Sequence, residues 1–265
     1  MNTVKTLLVL AVLAATSSAV IAEETPKTVD APDSSEAQSS VGLGVAMVPE
    51  YDGSEEYEFH LLPTGKLALG RHSIALTGSD LRANLLWGPV TLGPIVSYRA
   101  GRDADVKHAQ VSLLPEIDGA VELGAHLSVA LTDSFALSGE MLADVSDVHR
   151  GFHGKLSLDI QQPVTDRLAL MGSVSSSFMD SNFAQTYFGV TATGAAASGL
   201  SAFDADSGFR DVGLTIGAAY QLTESVSLNG MLGYSHLLGE AGDSPIVKAG
   251  SSGQMQAVVG LSYSF

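Results

Sequence analysis

Apolar and polar residues alternate with a period of two along most of the chain after Val41. In the clearest stretch, 121–132, the apolar register is Val121, Leu123, Ala125, Leu127, Val129 and Leu131. A period of two is that of a β-strand, in which successive side chains point to opposite faces of a sheet. The same rule holds at 152–161 and 211–222, where charged residues occupy only one of the two registers. The pattern therefore predicts an all-β fold with one uncharged face.

The alternation predicts about twelve antiparallel strands. They are expected near 41–48, 57–69, 71–77, 81–87, 89–100, 119–132, 134–144, 151–162, 166–178, 210–222, 225–238 and 254–265. The third and fourth are short and weakly patterned, so ten strands is the fallback. Many of the others run to about 11 or 12 residues, which suits a membrane-spanning strand better than the roughly 5 or 6 residues usual in a soluble sandwich. A Lys or Arg facing lipid costs about 2 to 4 kcal/mol near the midplane, so confinement of charge to one register is what a transmembrane barrel requires.

Short and long connections alternate between these strands. Tight links are expected at 70–71, 88–89, 132–134, 163–167 and 223–225, and mostly longer ones near 49–56, 101–118, 145–150, 179–209 and 239–253. Bacterial outer-membrane barrels have short periplasmic turns and long extracellular loops, and an even strand number leaves both termini in the periplasm. The fold prediction is a single antiparallel transmembrane β-barrel with this orientation.

The first 40 residues do not share the strand pattern. Lys5 and the short apolar run 7–15 are typical of a signal peptide spanning 1–22, with cleavage expected after Ala22. An uncleaved membrane anchor is the alternative, although the apolar run is too short to span a bilayer as a helix. Residues 23–40 are acidic and rich in Pro and Ser, which predicts a flexible periplasmic tail. The barrel is then expected to comprise 41–265.

The C-terminal sequence MQAVVGLSYSF places Leu261, Tyr263 and Phe265 in one register. In a closed barrel the last strand must pair with the first, because an unpaired edge is not tolerated in hydrocarbon. Aromatic side chains are favoured at the membrane boundary. We therefore expect Phe265, Tyr263 and Leu261 to form the C-terminal signal for barrel assembly.

Composition narrows the function without identifying it. The formal net charge is −16, from 13 Lys and Arg against 29 Asp and Glu. Nucleic-acid partners are not expected, because phosphates require a basic surface. The chain has no cysteine, which excludes disulfides, a lipid-anchoring cysteine and Cys-ligated zinc.

Four segments resemble the MipA/OmpV family of outer-membrane proteins. They are EYDGSEEYEFHLLP at 50–63, GPVTLGPIVSYRAGRD at 88–103, QTYFGVTATGAAASGLSAFDADSGFRDVG at 185–213 and YSHLLGEAGDSPIV at 234–247. The resemblance runs in order from about Gly42 to Phe265. It implies a β-barrel in the outer membrane of a Gram-negative cell. The named member is a scaffold that binds a lytic murein transglycosylase and a bifunctional murein synthase, while other members are adhesins, porin-like proteins or proteins linked to antibiotic resistance.

Three pairs of side chains are candidates for acid–base chemistry. They are His126 with Glu122, His153 with Asp159, and His149 with Asp147. A histidine poised by a carboxylate can act as a general base. A polar lumen needs mutually satisfied side chains in any case, and no nucleophile elbow or HExxH spacing accompanies these pairs. The prediction is therefore a non-enzymatic protein without catalytic, cofactor-binding or metal-binding residues, and without a cofactor.

The longest predicted loop, 179–209, contains enough apolar material to fold. Its aromatic residues Tyr187, Phe188 and Phe203 are the candidate lid or constriction at the barrel mouth. Long loops are usually functional or disordered, and aromatic residues favour order. The acidic residues of the outer loops fit either solvated charge or cation bridging to lipopolysaccharide.

The sequence therefore predicts a non-catalytic outer-membrane scaffold for murein-remodelling enzymes, the scaffold role being what the resemblance implies. The alternatives are a porin-like channel and an adhesin that acts through its long outer loops. Expected partners are outer-membrane lipid, lipopolysaccharide and, by the resemblance, the murein transglycosylase and murein synthase.

Overall fold

The computed structural model of residues 38–265 is a closed antiparallel barrel of twelve strands. The strands are β1 Ser40–Pro49, β2 Tyr57–Leu69, β3 His72–Thr77, β4 Asp80–Trp87, β5 Val90–Arg99, β6 Ala120–Ala130, β7 Phe135–Asp144, β8 Phe152–Thr165, β9 Leu168–Met179, β10 Gly208–Gln221, β11 Val226–Leu237 and β12 Gly253–Ser264. Each strand pairs with its neighbours in sequence, and β1 pairs with β12 to close the barrel. The predicted all-β barrel and its twelve strands are confirmed. The predicted signal peptide 1–22 and residues 23–37 of the predicted tail lie outside the described residues.

The wall follows the alternation of the sequence. In β6, Leu123 and Leu127 point outward and are exposed, while Glu122 and His126 point into the lumen and are buried. An outward apolar face and a polar interior are what a barrel in lipid needs, because hydrocarbon surrounds the outer face. The exposed apolar side chains thus form a continuous belt around the barrel.

The two ends of the barrel differ as predicted. Five tight turns join the strands at one end, which we call the turn end, and Gly70 and Gly88 have φ near 60° in two of them. The opposite loop end carries the long segments 50–56, 100–119, 145–151, 180–207 and 238–252. Strand β8 continues past the predicted end at 162 to Thr165, with a register shift between Pro163 and Thr165, so its turn is shorter than expected. One loop-end connection, 78–79 between β3 and β4, is also a tight turn.

Short helices lie within the long segments. They are α1 Ser181–Phe188, α2 Ala192–Ser198, α3 Gly239–Asp243 and α4 Pro245–Ala249, with a 3₁₀ turn at Val111–Leu113. Within 38–265, no helix is both long and apolar enough to cross a membrane.

The predicted C-terminal signal residues lie on the outer face at the turn end. Leu261 and Tyr263 pair with Leu43 and Val41 of β1, and the backbone N–H of Phe265 donates to the Ser39 carbonyl at 2.9 Å. The Tyr263 and Phe265 rings stack with centroids 6.3 Å apart. Ser40, the last residue of the predicted tail, already belongs to β1.

Candidate functional site

Four segments fold together over the loop end and form what we call the lid: 50–56, 101–118, 180–207 and 238–252. Their apolar side chains, together with Met179 of β9 and Leu237 of β11, make two buried clusters. The first contains Met179, Phe183, Ala184, Tyr187, Phe188, Ala205, Leu237, Ala241 and Val247, and the second contains Tyr51, Val111, Leu114, Val190 and Ile246. Phe203 packs against both clusters. The lid is therefore an ordered layer with its own hydrophobic core.

The candidate lid residues lie inside this layer. Phe188 is fully buried and Tyr187 is 8% exposed, while Phe203 is partly buried. Val190 and Phe203 exchange backbone hydrogen bonds of 2.8 and 2.9 Å. Burial raises the pKa of the Tyr187 phenol above its usual range, so this group stays neutral at any physiological pH.

Polar contacts join the lid segments to one another. The Ser244 hydroxyl donates to the Phe188 carbonyl at 2.6 Å, and the Gln110 amide donates to the Ser198 carbonyl at 3.2 Å. Because these bonds connect three different segments, no segment can leave without breaking contacts of another.

Helix α1 begins where it does because Asp180 caps it. The Asp180 carboxylate accepts from the Phe183 N–H at 2.9 Å, and its carbonyl accepts from the Ala184 N–H. A carboxylate at this position satisfies one of the unpaired donors of the first turn. The ring of Phe183, in the capped first turn, packs against His149 and His153.

Replacing Asp180 with alanine should therefore loosen α1 without unfolding the barrel. Loss of an N-cap costs about 1 kcal/mol. We expect faster amide hydrogen exchange in 181–188 and unchanged exchange in the strands. Asp204, an exposed aspartate of the same segment that caps no helix, supplies the control as Asp204→Ala. Equal exchange in both variants would contradict the role of the cap.

A buried ionic cluster supports the lid from below. Glu122 is fully buried; its Oε1 accepts from Arg99 Nε at 3.0 Å and lies 3.0 Å from His149 Nε2. His153 Nε2 lies 3.0 Å from both Glu122 Oε2 and Arg99 Nη2, so the tautomer of His153 decides which bond forms. The Arg99 guanidinium lies under Phe183 of α1, 4.8 Å from the ring centroid. One carboxylate thus joins β5, β6, β8 and the β7–β8 connection beneath the lid.

The predicted acid–base pairs of His149 and His153 are wrong. Both imidazoles contact Glu122 instead of the carboxylates nearer in sequence. Asp159 accepts from Ser157 and Ser173, and Asp147 contacts Arg150 on the surface. His126 lies 3.1 Å from the Ala83 carbonyl, across β5. Glu122 and His126 both point into the lumen, as their shared register predicts.

Two adjoining cavities of about 110 and 100 Å³ lie between the lid and the middle of the barrel, and we call them together the chamber. Both are lined by Arg99, Arg210, Asp52 and Asp211. Arg210 Nε donates to Asp211 at 2.7 Å, so much of this charge is matched within the wall.

A cluster of charged side chains lies on the lumen side of β4, β5 and β7, beside the chamber. Arg82 donates to Asp80 at 3.2 Å, and the Ser97 hydroxyl also donates to Asp80. Arg82 Nη1 also forms an ion pair with Glu140, 2.9 Å from its Oε2. Glu140 also lines the chamber, so this cluster forms part of the chamber wall.

The lumen widens toward the turn end into a cavity of about 890 Å³, which we call the vestibule. It reaches the turns at Pro89 and Asp133 and is lined largely by apolar and uncharged polar side chains, with Lys66 and Arg71 as its cations. The barrel is thus closed by a packed layer at the loop end and hollow at the turn end. This asymmetry is the principal feature for function.

Comparison with known proteins gives one family. The family model described as MltA-interacting protein MipA matches residues 41–265. No curated protein matches the sequence significantly.

Several solved barrels are similar in structure at low scores. The NanC porin has a TM-score of 0.44 and 10% identity, over 86% of this chain and 99% of the porin. The KdgM porin has a TM-score of 0.42 and 9% identity, over 85% and 99%. The translocator domain of the autotransporter NalP from Neisseria meningitidis has a TM-score of 0.48 and 14% identity, over 88% and 90%. These scores are too low to support an inference about function, which rests on the family match instead.

Proposed function

The chain belongs to the MipA family of outer-membrane proteins, and on that basis we propose that it anchors a murein-remodelling enzyme at the periplasmic end of its barrel. The family is described by the interaction of its named member with MltA, a murein transglycosylase. Carried to this chain, that interaction requires a docking surface on the side that faces the murein. In the outer-membrane orientation the turn end is that side.

The observation that supports the proposal is the asymmetry of the barrel. The lid fills the outer mouth with two apolar clusters, whereas the vestibule of about 890 Å³ opens among the periplasmic turns. A general porin needs a continuous aqueous path. A barrel closed on the outside and accessible from the periplasm is suited to engaging a periplasmic partner.

The proposal assigns the chain no catalytic step. His149 is buried beneath Phe183 with ring centroids 5.1 Å apart, and its Nε2 is directed at Glu122. His153 occupies the same network. Both histidines contact Phe183 of the lid and Glu122 of the wall, so the proposal gives them a structural role.

We further propose that the outward belt contacts outer-membrane lipid and that the acidic lid faces lipopolysaccharide. Large apolar side chains such as Leu123 and Val174 are 49% and 60% exposed on the wall. Lipid covers such a belt in a transmembrane barrel.

Site-specific photocrosslinking in intact cells tests the scaffold. A photoreactive residue at Asp166, in the exposed β8–β9 turn, should capture a murein transglycosylase or murein synthase. The matched control is the same residue at Asp204, an exposed aspartate of the lid. Capture should also weaken when 23–37 is removed, if the tail contributes to docking.

Recovery of a murein enzyme at Asp166 and not at Asp204 would support the proposal. Capture of barrel-assembly factors alone at Asp166, or of a murein enzyme at Asp204 alone, would contradict it.

A further inference from the structure

The wall of the barrel is incomplete between β2 and β5. Strands β3 and β4 have six and eight residues, against 13 in β2 and 10 in β5, and their hairpin turns at 78–79. Strand β3 pairs only with 64–69 of β2, and β4 pairs with β5 no further than Val96. Within residues 38–265, no strand therefore lies between segment 57–63 of β2 and segment 97–99 of β5.

This opening, which we call the window, has a defined frame. At its lower edge the Gly78 N–H donates to the Pro63 carbonyl at 2.8 Å. At its upper edge Lys107 crosses from the lid, where its Nζ donates to the Tyr57 carbonyl at 3.4 Å and its N–H donates to Glu50 at 3.0 Å. Because hydrogen bonds alternate along an antiparallel strand, the residues between these edges that direct N–H and C=O into the window are Phe59 and Leu61.

The window lies in the half of the wall nearer the lid, which faces the outer leaflet. Phe59 and Leu61 flank it on the outside and are 72% and 68% exposed, the largest values among the exposed large apolar side chains of residues 38–265. Neighbouring strands cover part of such side chains elsewhere in the belt. Here β3 ends before it reaches them, so no strand of residues 38–265 covers this edge of β2.

The inner side of the window is apolar beside the hairpin tip. Nearer the lid, Glu58 and His60 of β2 and Ser97 and Arg99 of β5 point into the lumen. Ala46, Val48 and Leu62 form a buried cluster with Val258 against it. Leu62 lies against the hairpin tip, because a Cβ atom added at Gly78 would be 2.9 Å from Leu62 Cδ1. Leu62 also lines the vestibule. Its side chain thus separates the window from a cavity open to the periplasm.

We propose that the window is a lateral binding site for one acyl chain of an outer-leaflet lipid, which enters between β2 and β5 and lodges against Leu62. The residues around the window match the two parts of a lipid, its polar headgroup and its acyl chain. Lys107, at the upper edge of the window, lies toward the headgroup region. Leu61, Leu62 and the cluster behind them lie at the depth of the chain.

The vestibule lies directly behind the window, so a bound acyl chain has space to extend into the barrel. Its volume of about 890 Å³ falls in the range of pockets that hold a small-molecule ligand, roughly 300 to 1,000 Å³. Leu62 and Thr77 form its upper part beside the window. A chain that displaces Leu62 would therefore reach a mainly apolar space instead of a packed core.

Photolabelling of the mature chain, refolded into vesicles that contain a phospholipid with a diazirine on its acyl chain, tests the site. Peptide mapping should show label on the lumen-facing residues Leu62 and Val48, in addition to the outward belt. Leu142 is the internal control, because it is also apolar, buried and lumen-facing but lies on β7, away from the window. We expect label at Leu62 to exceed label at Leu142 several-fold.

Two variants sharpen the test. Leu62→Trp should block the site and reduce label at Val48 several-fold while Phe59 keeps its label. Leu62→Ala should raise label at Val48 and Val258, and it provides the readout if the tryptophan variant does not fold. Label confined to outward side chains in the unsubstituted chain and in Leu62→Ala would overturn the proposal.

Discussion

Replacing Glu122 with leucine is expected to detach the lid and to lower the free energy of unfolding by about 3 to 5 kcal/mol, the usual cost of removing one partner from a buried ion pair. The Glu122 side chain is fully buried and that of Arg99 is 8% exposed, so water cannot replace the lost carboxylate. His149 and His153 lose their acceptor at the same time. Urea unfolding of the refolded barrel can be followed through Trp87, the one tryptophan of the chain.

The double variant Arg99→Met with Glu122→Leu is the informative control. It removes both charges, and replacement of a whole buried pair by apolar residues is often neutral or stabilising. We expect it to recover most of the loss. Asp166→Asn, in an exposed turn, should change stability by no more than about 0.5 kcal/mol. Wild-type stability of the Glu122→Leu variant would show that the cluster does not hold the lid.

Deleting 185–205 is expected to turn a closed barrel into a conducting one. The deletion removes Tyr187, Phe188 and Phe203, which fill the outer mouth, and leaves the strands intact. The chain ends created by the cut lie close together, because the Ala205 N–H donates to the Gln185 side chain at 2.9 Å. Planar-bilayer recordings should show single-channel steps for the deletion variant and none for the full-length protein.

Heat-modifiable migration is the control for folding in this experiment, since a barrel that has not closed cannot report on its lid. Steps of equal size with and without 185–205 would contradict the assignment of the lid as the constriction. A folded deletion variant without steps would place the block deeper in the lumen, for example at the cluster of Arg82, Asp80 and Glu140.

Strand positions could be predicted from the sequence because lipid imposes a strict alternation on every strand. Even β3 and β4, whose pattern is weak, were located within about one residue of their observed bounds, since Gly70 and Gly88 mark their turns. The aromatic content of 179–209 likewise indicated an ordered outer segment. These features are local, because the residues of a single strand or loop are enough to predict each of them.

The ionic cluster could not be predicted in the same way. Glu122 and His153 are 31 residues apart and meet only because the registers of β6, β7 and β8 bring them to one height in the lumen. Proximity in sequence favours Asp159 and Asp147 as the partners of His153 and His149. In a barrel, however, the neighbours of a lumen-facing side chain come from other strands. The window was missed for a related reason: the short strands were visible, but their pairing limits on β2 and β5 were not.

Some contacts of the lid can form only at a late stage of barrel assembly. The Gly53 N–H donates to Gln254 Oε1 at 3.2 Å, and the Gln254 side chain donates back to the Ser54 carbonyl, across separations of 201 and 200 residues. These contacts join the β1–β2 connection to the start of β12, so they form only after the last strand has reached the first. Contacts between residues so far apart in sequence are slow to form. A protease added from the outside would therefore distinguish nascent from finished barrels, because only a completed circle of strands can carry a closed lid.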